Sequence, residues 1–183
     1  MKNYCMQRIY LIGYMGAGKT TLGAPLAKKL GLSFIDIDKF IEKRYHKSIN
    51  ELFTVYGEKE FRNIEKKILK EVSEFENVVI STGGGTPCFS NNMDLMKSTG
   101  LTVFLDVSQS TLFSRLKQGK HKRPKLRDKN DEELRDYINL SLSERIDVYR
   151  RCSISFNADN LESFEAIEKA TKELSRIVLD QEL

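Results

Sequence analysis

The sequence predicts an α/β fold in three layers, α/β/α, around a central five-stranded parallel sheet. Three observations predict it. Short apolar, β-branched runs alternate with longer stretches of helical periodicity, the pattern of a sheet covered by helices. The 183 residues suit one domain with a sizeable core. The first apolar run passes through a glycine-rich loop into a helix, and in open parallel sheets ligands sit at the carboxyl ends of strands.

The elements follow in order. "RIYLIG", residues 8–13, is a buried-strand signal stopped by glycine. "KTTLGAPLAKKLG", 19–31, sets Leu22, Leu26, Ala27 and Leu30 at helical spacing and closes on Gly31. Pro25 falls in its early turns, where its cost is smaller. "SFID", 33–36, is the second strand. If it runs on through Asp38, Asp36 and Asp38 point to one face, because strand side chains alternate. "KFIEKRYHKS" and "INELFTVYG" read as two short helices, and 58–76 as a long one with a stripe of Phe61, Ile64, Ile68 and Val72. "VVIST", 78–82, is the third strand and leads into Gly83-Gly84-Gly85; "LTVFLDV", 101–107, is the fourth. "SQSTLFSRLKQ", 108–118, opens like a capped helix. "GKHKRPKLRDKN", 119–130, has no periodicity and reads as a mobile loop. A long helix over 131–152, a fifth strand "SISFNA" and a closing helix over 161–180 complete the chain.

Composition excludes several classes. With 40% hydrophobic and 31% charged residues the chain is neither disordered nor fibrous. A net charge of +4 is too mild to argue for nucleic acid, and is compatible with small anionic ligands. Cys5, Cys88 and Cys152 are odd in number and far apart, with no CxxC pair, and the histidines are His46 and His121; neither a disulfide framework nor a zinc site is expected. The N-terminal stretch lacks a signal-peptide core, and no run approaches membrane-span length. A soluble cytoplasmic protein without nucleic-acid or membrane partners is expected.

"GYMGAGKT", Gly13 to Thr20, matches G-x-x-x-x-G-K-[ST] between a predicted strand and a predicted helix, the context the motif requires. Its glycines let backbone N–H groups turn inward around phosphate oxygens. The following helix points its positive end at the anion. Lys19 supplies charge to the β- and γ-phosphates and Thr20 a hydroxyl to Mg²⁺. A nucleoside triphosphate is therefore the expected ligand. The acid that serves the magnesium is open between Asp36, ending the second strand, and Asp106 on the fourth. Asp38 could also cap the helix that follows it.

An acceptor carrying a carboxylate is best held by arginine, whose planar fork meets both oxygens. Arg62, Arg123 and Arg145 are the candidates; Arg62 and Arg145 also lie on glutamate-rich helices, where surface pairs are common. Three successive glycines suggest close backbone approach to a ligand, or else a loose loop. The basic run from Lys117 to Lys129 has no interleaved aromatics for stacking bases, and reads best as a cationic flap over triphosphate.

Together these pieces resemble the shikimate kinase family, within the nucleoside-monophosphate-kinase-like P-loop group. The resemblance runs from Arg8 to about Val178 and rests on "GYMGAGKTTLG", "FIDIDKFIE", "INELFTVYGEKEFRNIE", "STGGGTP", "KRPKL" and "SERIDVYR". It implies a single kinase domain over 1–183, with acceptor-binding helices about 38–75 and a lid about 117–129. It implies transfer of the ATP γ-phosphoryl to the 3-hydroxyl of shikimate, on the route to chorismate and aromatic amino acids, by a monomer. The family's ATP-binding residues fall on Gly16, Ala17, Gly18, Lys19, Thr20 and Thr21, with Arg115 packing on adenine near residues 157–160 and Arg123 reaching the phosphates. Magnesium falls to Thr20 and Asp36, and the acceptor hydroxyl to Asp38. Arg62 and Arg145 match the carboxylate arginines, Gly84 and Gly85 their backbone neighbours, and Phe53 and Phe61 the apolar walls. Lys19, Asp38 and Arg123 are the implied catalytic set. Two positions need comment: Lys125 stands where the family often has leucine, and Met15 occupies a variable position that can border the acceptor.

Overall fold

The structure is a computed structural model and describes residues 7–120 and 123–181. Cys5, His121 and Lys122, the last two within the expected lid, lie outside the described residues. Five strands, β1 (Arg8–Ile12), β2 (Ser33–Asp36), β3 (Val78–Ser81), β4 (Leu101–Asp106) and β5 (Ile154–Asn157), form one sheet in the order β2-β3-β1-β4-β5. All four pairings are parallel. The connections are helical: α1 (Lys19–Leu30), α2 (Ile37–Tyr45), α3 (Ile49–Val72), α4 (Asn92–Thr99), α5 (Gln109–Gln118), α6 (Pro124–Arg127), α7 (Asp131–Tyr149) and α8 (Phe164–Asp180).

The period-two alternation of β1 builds the layers. Leu11 turns to one face and packs beneath Gly23 of α1, which in turn packs on α8. Tyr10 turns to the other, where its hydroxyl meets Thr99 Oγ1 at the end of α4 at 2.8 Å. Phe104, level with Ile12 across the β1–β4 pairing, stacks on Tyr149 of α7 at 5.2 Å between centroids. Residues 9–12, 78–80 and 103–105 are almost completely buried, as parallel strands covered on both faces must be.

Three details depart from the sequence reading. The stretch 86–100, left unassigned there, holds a 3₁₀ turn at Thr86–Cys88 and α4. That helix has only Met93 and Met96 as buried apolar anchors, too few for a periodic signal. The loop 119–130 contains α6, pinned by the fully buried Leu126. The two short helices and the long one occur as α2 and α3, where α3 breaks at Gly57: its φ of 74° is the left-handed region that glycine enters without strain. Pro25 is accommodated within an unbroken α1.

The register sets the site. Ser81 of β3 lies level with Asp36 of β2 on one side and Leu11 of β1 on the other. The glycine-rich loop, the second-strand acid and the glycine triplet thus leave the sheet side by side at its carboxyl edge.

Candidate active site

The loop after β1 is closed by Ala17 N–H donating to Tyr14 O at 3.1 Å. Gly18 caps α1 in the left-handed conformation (φ 93°) and has no side chain to occupy the first-turn N–H groups, so these are available to an anion. Lys19 is buried and its Nζ donates to Gly13 O at 2.8 Å and Tyr14 O at 2.9 Å. Burial pulls its pKa down to about 8, against the opposing charges of Asp38 and Asp36. Thr20 Oγ1 donates to Asp36 Oδ2 at 2.7 Å. Asp106 is exposed and lines neither cleft described below, so β4 brings no acid to the phosphates.

Asp36 and Asp38 do converge, but not as neighbours on one strand face. The strand ends at Asp36, which caps α2 by accepting from Lys39 N–H at 3.2 Å, so the cap is Asp36 and not Asp38. Asp38 sits in the first helical turn. The chain reverses character between them, and this strand-to-helix turn points both carboxylates into the same cleft. Burial raises the Asp38 pKa from 3.8 to about 6, and the negative charges of Glu65 and Asp36 add to the effect.

Two clefts open on this edge. One, of about 350 Å³, is lined by Gly16, Gly18, Lys19, Thr20, Thr21 and Asp36 among others. The other, of about 400 Å³, lies between α3, the glycine triplet, α6 and α7. Phe53 and Phe61 form its apolar wall, stacked at 4.2 Å between centroids. Met15, Asp38, Gly84 and Arg123 border both clefts. Ala17 and Arg115, expected at ATP, line neither. Ala17 is buried beneath the loop. Arg115 ties the loop to the segment after β5, with Nη2 donating to Asp159 O at 2.8 Å and Ala158 O at 3.0 Å and Nη1 to Gly16 O at 3.4 Å.

In the larger cleft Arg62 both makes the pairs expected of a glutamate-rich helix and faces the cavity. Its guanidinium pairs along the helix with Glu65 at 2.8 Å and Glu58 at 3.1 Å, and it lines the cleft, 4.0 Å from the Phe89 ring centroid. Its Nε is buried without a partner. Glu65, only 1% exposed, accepts from Thr86 Oγ1 at 2.5 Å on its other oxygen. Sequence reasoning missed Glu65. The available signal was an acid inside the apolar stripe, four residues after Phe61 and three before Ile68.

The glycine triplet is a close-approach device. A Cβ on Gly85 would lie 3.0 Å from both terminal nitrogens of Arg62, and one on Gly83 would lie 2.9 Å from Asp38 Oδ1. Arg145 lies 5.6 Å from the centroid of the Tyr14 ring, and the electrostatic influence of the Tyr149 hydroxyl favours its charged form. Tyr149 itself is completely buried and donates to Gly84 O at 2.5 Å. Tyr14, also buried, shares a short hydrogen bond with Ser141 of α7. Neither tyrosine stood out in the sequence. Both bind the phosphate loop or the triplet to the helix that carries Arg145.

The basic run divides by contact. Lys117 pairs with Asp131 at 2.5 Å, Lys120 donates to Lys129 O at 3.0 Å, and Arg123 and Lys125 turn into the clefts. As a metal site, the smaller cleft offers hard oxygen donors, the Thr20 hydroxyl and the Asp36 carboxylate, in contact. Among the described residues no cluster of three or more His, Cys, Asp or Glu could hold an ion. That donor set fits Mg²⁺, which keeps much of its shell as water and phosphate oxygen.

Comparison with known proteins gives one answer. A family model described as shikimate kinase matches residues 15–175. The shikimate kinase of Bacteroides thetaiotaomicron is 52% identical over 173 residues, 94% of this chain and 99% of that protein. A crystal structure of shikimate kinase from that organism superposes with a TM-score of 0.93 at 51% identity, covering 96% of this chain and 99% of the other. Shikimate kinase from Acinetobacter baumannii, solved in complex with shikimate, superposes with a TM-score of 0.84 at 30% identity, covering 97% and 96%.

Proposed function

The chain belongs to the shikimate kinase family, and on that premise we propose that it transfers the γ-phosphoryl group of ATP to the 3-hydroxyl of shikimate, giving shikimate 3-phosphate and ADP. The observation that carries the reading is the junction of the two clefts. The charged groups common to both are one acid, Asp38, and one cation, Arg123. Phosphoryl transfer needs such a pair where donor meets acceptor.

ATP occupies the smaller cleft, its phosphates on the amides of Gly16 to Thr21 and on Lys19. Thr20 and Asp36 would hold Mg²⁺, which when bound would supply positive charge against the phosphates. Arg115 supports the adenine side through its grip on Ala158 and Asp159. Shikimate occupies the larger cleft, its carboxylate on Arg62 and Arg145, its ring against Phe53 and Phe61, with Gly84 and Gly85 beside it. Asp38 accepts the hydroxyl proton and aims the oxygen at the γ-phosphorus. With a pKa of about 6 it is mostly ionised at neutral pH yet basic enough to take a share of the proton. Lys19 and Arg123 offset the charge spread over the transferring group. The transition state is loose, so alignment contributes more than strong base catalysis.

Acceptor helices about 38–75 and lid about 117–129 are then parts of one kinase domain, acting as a cytoplasmic monomer on small molecules alone. The inward turn of Arg123 and Lys125 supports a substrate-facing flap rather than a nucleic-acid patch. A coupled ADP-release assay with shikimate, gluconate and nucleoside monophosphates in parallel tests the assignment. ADP release that depends on shikimate is expected. Release driven by one of the others, or none at all, overturns it.

A further inference from the structure

The residues lining the acceptor cleft include four cations, Arg62, Arg123, Lys125 and Arg145, against two acids, Asp38 and Glu65. Arg62 and Arg145 are assigned to the carboxylate and Arg123 to the phosphoryl group, so Lys125 has no place in that division. Its position is nevertheless defined. It lies in α6 immediately before Leu126, which is fully buried and lines the same cleft. Lys125 Nζ lies 5.6 Å from the centroid of the Phe53 ring, and Arg62 Cζ lies 5.7 Å from that same centroid. Two cations from different parts of the chain therefore flank one ring of the acceptor wall. Besides Glu65, which pairs with Arg62 alone, the exposed Glu58 is an anion that feels both charges. It accepts from Arg62 at 3.1 Å, and the Lys125 charge also helps hold its carboxyl below the usual range.

We propose that Lys125 is a specificity-determining residue for the acceptor's negative charge: when shikimate binds, its carboxylate takes over from Glu58 as the anion shared by Arg62 and Lys125. The proposal rests on the shikimate reading above. This use asks of Lys125 only a positive charge within reach, because the bidentate geometry is already supplied by the two arginines. It also distinguishes a charged acceptor from a neutral one of the same shape, since the uncovered cation favours only the charged one.

The test is steady-state kinetics on the full chain for the wild type, Lys125→Met and Lys125→Arg, varying shikimate and ATP separately. Lys125→Met keeps the stem and removes the charge. It is expected to raise KM for shikimate about fivefold, with KM for ATP and kcat within about twofold of wild type. Lys125→Arg restores the charge and is expected to lie within about twofold of wild type throughout. An unchanged KM for shikimate in Lys125→Met overturns the proposal. So does a parallel rise in both KM values, a fall in kcat alone, or Lys125→Arg behaving like Lys125→Met. Wild-type protein that does not phosphorylate shikimate overturns the functional reading itself, and this inference with it.

Discussion

The phosphate cleft and the acceptor cleft share Met15, Asp38, Gly84 and Arg123 as a common border. Away from it they are assembled in different ways. Half of the residues lining the phosphate cleft come from one continuous stretch, Met15 to Thr21, running into α1, and its principal donors are backbone amides whose directions follow from loop and helix geometry. The acceptor cleft draws Arg62 from α3, Gly84 from the turn after β3, Lys125 from α6 and Arg145 from α7. Its donors are largely side chains, and Arg62 is aimed by Glu65 and Glu58, while Tyr149 ties the helix that carries Arg145 to Gly84. A site of backbone donors tolerates change in its surroundings, whereas a site of aimed side chains depends on every supporting contact. Specificity for an acceptor therefore resides in the more dispersed half of the molecule.

The comparison breaks most sharply at Asp38, which belongs to both halves. Asp38→Asn keeps the shape and removes the base, and turnover is expected to fall by about 10² to 10⁴ while ATP affinity stays within about threefold. Equilibrium ATP binding measured beside kcat checks this, and a matching loss of ATP affinity would show that the halves are not separable. Next in size are Arg62→Ala and Arg145→Ala. Each is expected to raise KM for shikimate on the order of tenfold to a hundredfold and to leave KM for ATP nearly unchanged, because a charge-assisted pair on the acceptor alone is lost.

The raised pKa of Asp38 gives activity and stability opposite signs. Activity needs the ionised form, so kcat/KM for shikimate is expected to fall as pH drops through about 6. Stability runs the other way. Between 3.8 and about 6 the folded chain binds more protons at Asp38 than the unfolded chain does, so this group's contribution is complete below 3.8 and is lost as pH rises through about 6. Asp38→Asn is accordingly expected to stabilise the ligand-free chain at pH 7.5 by on the order of 2 kcal/mol, and by little at pH 4. Denaturant titrations at the two pH values measure the difference, and equal shifts at both would remove Asp38 titration as the cause. The smallest expected effect is Tyr149→Phe. It deletes the hydroxyl that ties α7 to Gly84 and should raise KM for shikimate about threefold to tenfold, roughly one hydrogen bond, with KM for ATP unmoved. A fall in affinity for both substrates would place Tyr149 in general support of the fold instead.

Most of the sheet, the phosphate loop and the arginines that line the larger cleft could be read from the chain alone. The causes are local. Apolar runs have a period, and the eight residues from Gly13 to Thr20 carry both their own backbone geometry and their own chemistry. Where the reading failed, the deciding interactions were not local. The premise that Asp36 and Asp38 share a strand face was wrong because the strand ends at Asp36 to cap a helix, and that turn is what points both acids into one cleft. The helix α4 has two buried methionines and a tyrosine–threonine contact to β1, none of which makes a period.

By itself, the sequence determined the α/β class, a phosphate-binding loop, and a set of acids and arginines suited to phosphoryl transfer to an anionic acceptor. Only the tertiary structure decided that Glu65 pairs with Arg62, that Tyr149 ties α7 to Gly84, that Asp106 lines neither cleft, that the glycine triplet makes room for Arg62 and Asp38, and that Lys125 lines the larger cleft. The physical reason is that such pairings follow strand order and register. The contact between Tyr149 and Gly84 joins residues 65 positions apart, and no pattern within a single element encodes it.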